Sequence, residues 1–373
     1  MILSGLETMR TVLGAGEFAS SVTADDQAVA RKLDTPGFAP VPAGIARPFW
    51  SVMVPIYNGP PHYLRETLQS VLRQDPGPGE MQIEVIDNCS TAFDPEPVVR
   101  EVGRGRIAFH RQRENIGIGG NFNACIERAR GQWVHMLHAD DTVRPGFYER
   151  LRTGIETYPG VGAALTRTIF MDEDGQWTAV AELEARSPGI LDGDFAARQF
   201  IDQRIYFASF VVRRSTYESL GGFRPSLPHC LDWDMWKRIT AAKSTYYDTE
   251  PLACYRIHSA ADSSHLIETG RNVVDERQSI EYSCADLPPE VATRLRKAAL
   301  RASGVRAARR AVALWKRGRR VAARRQIVEA LRCSLAPAVL SRALYFALGT
   351  ARSAVSSPAS VHDATSNRAT GNG

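Results

Sequence analysis

Four short apolar segments in the first half of the chain each end in polar or flexible residues. They span 50–55, 83–86, 107–109 and 133–137, and segments with helical spacing of apolar residues or a glycine-rich turn separate them. Strands that alternate with helices in this way are typical of βαβ units in a parallel sheet. Because the carboxyl ends of parallel strands meet at one edge of a sheet, the polar residues after these strands should converge there.

The fourth apolar segment runs into two adjacent carboxylates, Asp140 and Asp141. Asp is depleted from strand interiors, so the strand should end before this pair. Neighbouring negative charges destabilise each other, and Mg²⁺ or Mn²⁺ would relieve that cost and then hold a diphosphate. The alternative is an Asp that caps the helix predicted at 146–157, and this segment alone does not separate the two interpretations.

Basic residues are concentrated near the C-terminus. The chain has 373 residues and a net charge of +5, yet 291–332 contains fourteen Lys and Arg against one acid, so the remainder is acidic. The segment reads as two helices, which favours either a hairpin packed on the body with a basic outer face or a surface for an anionic membrane. Nucleic-acid binding is not expected, because no module for it is recognisable.

The cysteines are scattered, without a C-x-x-C pair or zinc-type spacing. This pattern indicates reduced thiols in a cytoplasmic protein. Neither a signal peptide nor a membrane-spanning run is predicted. If the basic segment binds lipid, the protein would be peripheral on the inner face of the plasma membrane.

Several motifs occur in a fixed order along the chain. They are V-P-x-Y-N at 54–58, I-D-N-x-S at 86–90, N-x-G-x-x-x-N at 115–121, the acidic pair, L-D-W-D-M-W at 231–236 and Y-R-I-H at 255–258. Together they resemble the inverting nucleotide-sugar glycosyltransferases of family 2, which have the GT-A fold. The likeness extends over about 50–264.

The resemblance implies an α/β fold: a Rossmann-like GT-A sheet flanked by helices, followed here by a basic helical extension. The implied domains are an N-terminal extension at 1–47, a GT-A domain at 48–264, a helical region at 265–357 and a disordered tail at 358–373. Within the GT-A domain, 48–145 would bind the nucleotide and 146–264 the acceptor.

The resemblance also implies which residues bind the nucleotide sugar. Tyr57 would stack on the base, and Asp87 would accept a hydrogen bond from a uracil or thymine N–H. A half-buried core aromatic and a turn-forming Asp are the structural alternatives for these two. The full expected set is Pro55, Tyr57, Asn58, Asp87, Asn88, Asn115, Gly117, Asn121, Asp140 and Arg256.

The implied metal ligands for Mn²⁺ or Mg²⁺ are Asp140, Asp141 and His258. His138 stands where many relatives have an Asp, and it is not assigned to the metal. Asp232 is the expected catalytic base, since inversion needs a carboxylate that takes the proton of the acceptor hydroxyl. Asp234 is its rival, and a helix N-cap is the structural alternative for Asp232.

These expectations describe a metal-dependent inverting glycosyltransferase. It would move a sugar from a UDP- or dTDP-sugar to a hydroxyl of a glycan or lipid-linked acceptor, in cell-surface polysaccharide or glycolipid biosynthesis. Leu231, where relatives often have Glu, and His138 leave a catalytically silent nucleotide-sugar-binding or scaffold protein as the alternative. A nucleotidyltransferase would need a Gly-rich, basic loop after the first strand, and the chain has Tyr57-Asn58-Gly59-Pro60-Pro61 there.

Overall fold

The computed structural model describes residues 35–258, 263–285 and 287–355, with only the backbone described at 263–264 and 347–355. The first 34 residues of the expected N-terminal extension and the expected disordered tail lie outside the described residues.

Ten strands form a single sheet in the described chain. Their bounds are β1 Trp50–Ile56, β2 Met81–Asp87, β3 Ala108–Arg111, β4 Trp133–Met136, β5 Thr142–Val143, β6 Ala163–Met171, β7 Trp177–Val180, β8 Gly189–Ile190, β9 Phe210–Arg213 and β10 Thr245–Arg256. The order across the sheet is β3-β2-β1-β4-β9-β6-β10-β5, with β7 beside β6 and β8 beside β10.

The first four strands are mutually parallel, as the sequence predicts. The second half of the sheet is mixed, because β9 runs antiparallel to both β4 and β6, while β10 runs parallel to β6. The expected α/β sheet flanked by helices is therefore confirmed.

Twelve α-helices are described. Their bounds are α1 Pro61–Leu72, α2 Glu96–Gly103, α3 Gly117–Arg128, α4 Phe147–Thr157, α5 Gly193–Ile201, α6 Arg214–Leu220, α7 Leu231–Ala242, α8 Ser263–Thr269, α9 Arg271–Ala285, α10 Pro289–Lys316, α11 Arg320–Cys333 and α12 Pro337–Val355.

Helices cover both faces of the sheet. Because successive side chains of a strand point to opposite faces, neighbouring residues of β1 pack against different helices. Val52 and Val54 of β1 share a core cluster with Leu68 of α1 and Leu151 of α4. Met53, which points to the opposite face, belongs to a second cluster with Phe122 of α3. Because both faces are buried, all seven residues of β1 are buried too.

Residues 35–47 form no helix or strand and lie across the domain. The Gly222 backbone N–H donates to the Pro36 carbonyl oxygen at 2.8 Å. The Arg47 guanidinium donates to the carbonyl oxygens of Arg130 and Gly131. These contacts attach the segment to the loop before β4 and to the loop after α6.

The basic segment folds into α10 and α11, close to the two predicted helices. Val291 and Leu295 of α10 pack against Phe200 and Trp233 in the body, so α10 has a buried apolar side. A further helix, α12, begins at Pro337, because proline is well tolerated in the first turn of a helix. Within the described residues, no helix is long and apolar enough to cross a membrane.

Candidate active site

The loops that follow β1, β2, β3 and β4 lie at one edge of the sheet. Ile56 and Asp87 are paired across β1 and β2, so these two strands end at the same level. Tyr57 follows β1 directly and is 41% exposed, which leaves its ring available to a ligand. Pro55 is buried within β1 and supports this loop from below.

Amide side chains shape the loops at this edge. Asn58 accepts hydrogen bonds from the backbone N–H groups of Thr91 and Ala92 at 2.7 and 2.8 Å. Asn88 accepts one from the Ile116 N–H and donates to Asn115 Oδ1 and the Gly117 carbonyl oxygen. Both side chains therefore hold the backbone of neighbouring loops in place.

The turn at 115–117 opens α3. Asn115 Oδ1 accepts a hydrogen bond from the Gly117 N–H at 2.9 Å, and Gly117 has a φ of +76°, which favours glycine. Asn121, one turn into α3, donates to the Ile86 carbonyl oxygen at 3.0 Å, while its buried Oδ1 has no partner among the described residues. The turn is thus tied to the end of β2.

Asp87 is fully buried at the end of β2. One of its oxygens accepts from the Ser90 N–H at 2.9 Å, and the other accepts from Arg111 Nε at 2.7 Å. The expected contact with a base N–H is not accessible in this arrangement. Arg111 would have to move for a base to reach Asp87, so this role stays a prediction.

The acidic pair lies on the loop between β4 and β5. Asp141 is fully buried: its Oδ1 accepts from the Arg256 backbone N–H at 2.8 Å, and its Oδ2 has no hydrogen-bond partner among the described residues. Burial, and then the charge of Asp140, raise the pKa of Asp141 well above its usual value. A cation bound to Oδ2 would remove this penalty.

Asp140 has the opposite shift. Burial acts to raise its pKa, but the hydrogen bond from His258 and the charges of His138 and His258 outweigh burial and lower it. His258 Nε2 lies 2.8 Å from Asp140 Oδ2, and the Asp140 side chain is 30% exposed. The pair therefore combines an ionised, partly exposed carboxylate with a buried one.

His138 completes a group of three possible metal ligands. Ligand atoms of His138, Asp140 and Asp141 all lie within 4.8 Å of one another. The imidazole packs against the rings of Phe122 and Phe207, at centroid distances of 5.3 and 4.3 Å, which orients it. Two carboxylates and an imidazole are a suitable donor set for a divalent transition metal.

The metal-ligand prediction from the sequence is thus only partly matched by geometry. Asp140 and Asp141 are in the cluster, but His258 contacts Asp140 rather than joining it, and His138, left unassigned above, takes the third position. The sequence feature that could have indicated His138 as a ligand is its position two residues before Asp140. Because β4 ends at Met136, His138 lies in the same loop as the acidic pair.

Arg256 holds this loop against the rest of the domain. Its guanidinium donates to the carbonyl oxygens of Asp140 and Glu173 and to the carboxylate of Glu66 on α1. It also lies over the Tyr63 ring, with its central carbon 4.2 Å from the ring centroid. Its side chain is 2% exposed. In this structure Arg256 positions the acidic loop, and its expected contact with the nucleotide sugar stays a prediction.

Asp232 lies in the first turn of α7 and is half-buried. Its Oδ1 accepts from the Trp233 N–H at 2.7 Å and its Oδ2 accepts from Gln203 at 2.6 Å. Burial raises the pKa of Asp232 to about 6, against the weaker opposing effect of these hydrogen bonds. A carboxylate in this range can accept a proton near neutral pH.

Its rival Asp234 is fully buried and forms ion pairs with Arg224 and, at 3.1 Å, Arg238. Asp234 is therefore a structural residue. The tryptophans of the same helix also belong to the core: Trp233 donates to the Gln199 carbonyl oxygen, and Trp236 packs against Phe207 and Phe210.

Tyr255 interacts electrostatically with both Asp232 and the acidic pair. Burial raises the pKa of Tyr255, and the charges of Asp141, Asp140 and Asp232 raise it further. Tyr206 lies 5.6 Å from Tyr255 between ring centroids. Sequence reasoning missed Tyr206 and Gln203, because their contacts with the site arise from long-range packing that no local motif encodes.

The sequence model of the family described as "Glycosyl transferase family 2" matches residues 51–221. This range begins at the second residue of β1 and includes β2 to β4 and the acidic pair. Residues 51–221 therefore form a glycosyl transferase family 2 domain, and the chain is a glycosyltransferase.

Two relatives show how far the similarity extends. The uncharacterised protein MT1568 of Mycobacterium tuberculosis (strain CDC 1551 / Oshkosh) is 26% identical over 65% of this chain and 77% of its own length. The O-antigen biosynthesis protein RfbC of Myxococcus xanthus is 28% identical over 58% of this chain, but the match covers only 16% of RfbC.

Two solved structures share the fold. S. aureus TarS 1-349 in complex with UDP-GlcNAc has a TM-score of 0.52 and 15% identity, and the match covers 75% of this chain and 90% of that one. The mannosyltransferase PcManGT from Pyrobaculum calidifontis, in complex with GDP-Man and Mn²⁺, has a TM-score of 0.51 and 19% identity. That match covers 94% of this chain and 92% of PcManGT.

Proposed function

We propose that this family 2 glycosyltransferase moves a sugar from a UDP- or dTDP-sugar to a hydroxyl of a glycan or lipid-linked acceptor, with inversion at the anomeric carbon. The observation that supports this most is the cluster of His138, Asp140 and Asp141 at the carboxyl edge of parallel strands. The named pathway of RfbC supports a role in polysaccharide biosynthesis. A cytoplasmic location follows from the cytoplasmic supply of nucleotide sugars in this proposal.

In this proposal the nucleotide lies over the ends of β1 and β2. Tyr57 stacks on the base, and Asp87 receives a base N–H after Arg111 moves aside. Asn58, Asn88, Asn115, Gly117 and Asn121 keep the loops in shape around the donor. The domain limits given above, with the nucleotide half at 48–145 and the acceptor half at 146–264, are part of the same proposal.

A divalent ion bound by His138, Asp140 and Asp141 would neutralise charge on the leaving nucleoside diphosphate. Asp232 takes the proton of the acceptor hydroxyl while that oxygen forms a bond to the anomeric carbon, and the bond to the diphosphate oxygen breaks. Asp232 suits this task because its raised pKa makes it a stronger base than an exposed Asp. Tyr206 and Tyr255 would form the wall against which the acceptor sugar packs.

The imidazole of His138 leads us to propose Mn²⁺ over Mg²⁺, because Mg²⁺ prefers ligand sets made only of oxygen. In isothermal titration calorimetry without donor, wild type should bind Mn²⁺ more tightly than Mg²⁺, and His138→Asp should narrow the difference. His265→Asp, which lies outside the cluster, is the matched control. Equal preference for Mn²⁺ over Mg²⁺ in wild type and His138→Asp would show that His138 is not a metal ligand.

A thermal-shift screen of nucleoside diphosphates tests the donor class, because ligands that bind the folded state raise its melting temperature. We expect UDP or dTDP to stabilise the protein more than GDP, and only with Mn²⁺. A transfer assay with the matching sugar donors follows. Stabilisation without release of nucleoside diphosphate from any donor would instead favour the silent binding protein.

A further inference from the structure

The last helix has an exposed apolar side in the described residues. Leu340, Leu344 and Tyr345 of α12 are 46%, 61% and 52% exposed. Leu344 lies one turn after Leu340, and Tyr345 directly follows Leu344. Phe346, in contrast, is buried and packs against Trp315 of α10 with ring centroids 4.6 Å apart. The helix is therefore anchored by one side and presents another apolar side to solvent.

A basic cleft borders this exposed side. It has a volume of about 560 Å³ and lies between α10 and α12, lined by Arg309, Val312, Lys316, Ser341, Arg342 and Tyr345. None of these lining residues is acidic, and the chain has no Asp or Glu from 330 to 355. Tyr345 belongs both to the cleft and to the exposed apolar side, which makes the two features continuous.

We infer that the α10–α12 edge binds the surface of an anionic lipid bilayer. An exposed apolar helix side beside cationic groups fits this partner, because a bilayer offers acyl chains and anionic headgroups within a few ångströms of each other. Tyr345 suits the boundary between them, since tyrosine is enriched at membrane interfaces. An acidic protein partner would satisfy the cations but leave Leu340 and Leu344 without a reason to be exposed.

Only part of the basic segment at 291–332 is available for this lipid surface. On α10, Arg306 is engaged by Asp202 and Glu276, and Arg296 is engaged by Glu281, so part of the basic segment serves internal ion pairs. The surface proposed here lies at the C-terminal end of α10 and on α12. Lipid binding by this surface does not depend on the proposed function. Its consequence, that the acceptor is presented at the bilayer, rests on the proposed function.

The test is co-sedimentation of the full chain with vesicles of phosphatidylcholine alone or mixed with phosphatidylglycerol, without donor or metal. Wild type should bind only the anionic vesicles. Arg309→Gln with Lys316→Gln should weaken the partition coefficient roughly 10- to 30-fold, since each cation near the surface contributes about fivefold. The matched control, Arg294→Gln with Arg301→Gln, removes the same charge from the N-terminal half of α10 and should change the partition coefficient little.

Leu340→Ser with Leu344→Ser should also weaken binding, about tenfold or more. Its matched control is Val321→Ser with Val328→Ser, which changes two exposed apolar residues of α11. Equal losses in test and control pairs, or no binding of wild type to anionic vesicles, would overturn the proposal. Because lipid binding is measured without turnover, these outcomes are independent of whether the donor screen succeeds.

Discussion

At the scale of single residues, two carboxylates on one helix have different tasks because their surroundings differ. Asp234 meets two arginines in the core, so its charge is compensated and it is unavailable for proton transfer. Asp232 meets only a backbone N–H and an amide in the described chain, and burial keeps the pKa of its carboxyl near 6. The L-D-W-D motif alone could not separate them, because both lie at the start of the same predicted helix.

We predict that Asp232→Asn lowers the rate of sugar transfer by about 10²- to 10⁴-fold, because the acceptor hydroxyl loses its base. Donor affinity and melting temperature should stay close to wild type, as measured by calorimetry and thermal unfolding. Asp234→Asn is the matched control. It should mainly destabilise the protein, by about 3–5 kcal/mol, because it breaks a buried ion-pair network. Full turnover by Asp232→Asn would show that another group is the base.

The raised pKa of Asp232 predicts the pH dependence of transfer. Protonated Asp232 cannot accept a proton, so kcat/KM should fall about tenfold per pH unit below pH 6 and be level above it. The sign for stability is opposite to that of a salt-bridged Asp. Burial favours the neutral form, so the stability that protonated Asp232 contributes is lost as the pH rises from the ordinary Asp pKa of about 4 to its folded pKa of about 6. Asp232→Asn should therefore be at least as stable as wild type at neutral pH. An acid limb near pH 4 would contradict this assignment.

At the scale of elements, the acidic loop depends on two elements from distant parts of the chain. The end of β10 supplies the Arg256 N–H and guanidinium, and α1 supplies Glu66 and the Thr67 hydroxyl, which donates to the Asp141 carbonyl oxygen at 2.7 Å. The sequence predicts each strand and helix here, but not these contacts. Local motifs encode where an element ends, whereas the partner of Arg256 is decided by the strand order.

Arg256→Met tests this positioning role. It should weaken Mn²⁺ binding at least about tenfold, because the Asp140 and Glu173 carbonyl groups lose their buried donor and the loop relaxes. Arg256→Lys should restore only part of the affinity, since a single ammonium cannot reproduce several guanidinium contacts. Calorimetry of metal binding without donor measures this. Unchanged Mn²⁺ affinity in Arg256→Met would show that the loop is held by other contacts.

At the scale of the whole molecule, the C-terminal helices and the catalytic helix share a core. Leu295 and Ala299 of α10 belong to the cluster that contains Trp233, the residue next to Asp232. The sequence of the basic segment predicts the two helices α10 and α11. The packing of α10 on α7 could not be predicted, because it depends on which faces of the two helices contact each other. Removing α10 to α12 would therefore expose the core beside the candidate base as well as delete the basic surface.

Leu295→Ala should lower the free energy of unfolding by about 2–5 kcal/mol, because it leaves a cavity in this shared core. The rate of transfer should fall as well, since α7 loses support next to Asp232. Leu335→Ala, at a position that is 68% exposed, is the matched control and should change stability by less than about 0.5 kcal/mol. Urea denaturation and kcat measurements give the two readouts. A Leu295→Ala variant as stable as wild type would show that α10 does not share a core with the body.

The hydrogen bond from the Arg256 backbone to Asp141 spans 115 residues. A chain growing on the ribosome therefore displays the motifs of β1 to β4 long before the strand that finishes the acidic loop has emerged. During that interval the partly made protein has its nucleotide-side strands but lacks the group that fixes Asp141. Translation itself thus delays the onset of chemistry until β10 is in place, and an arrested fragment ending before Arg256 would carry most of the family motifs without an assembled centre.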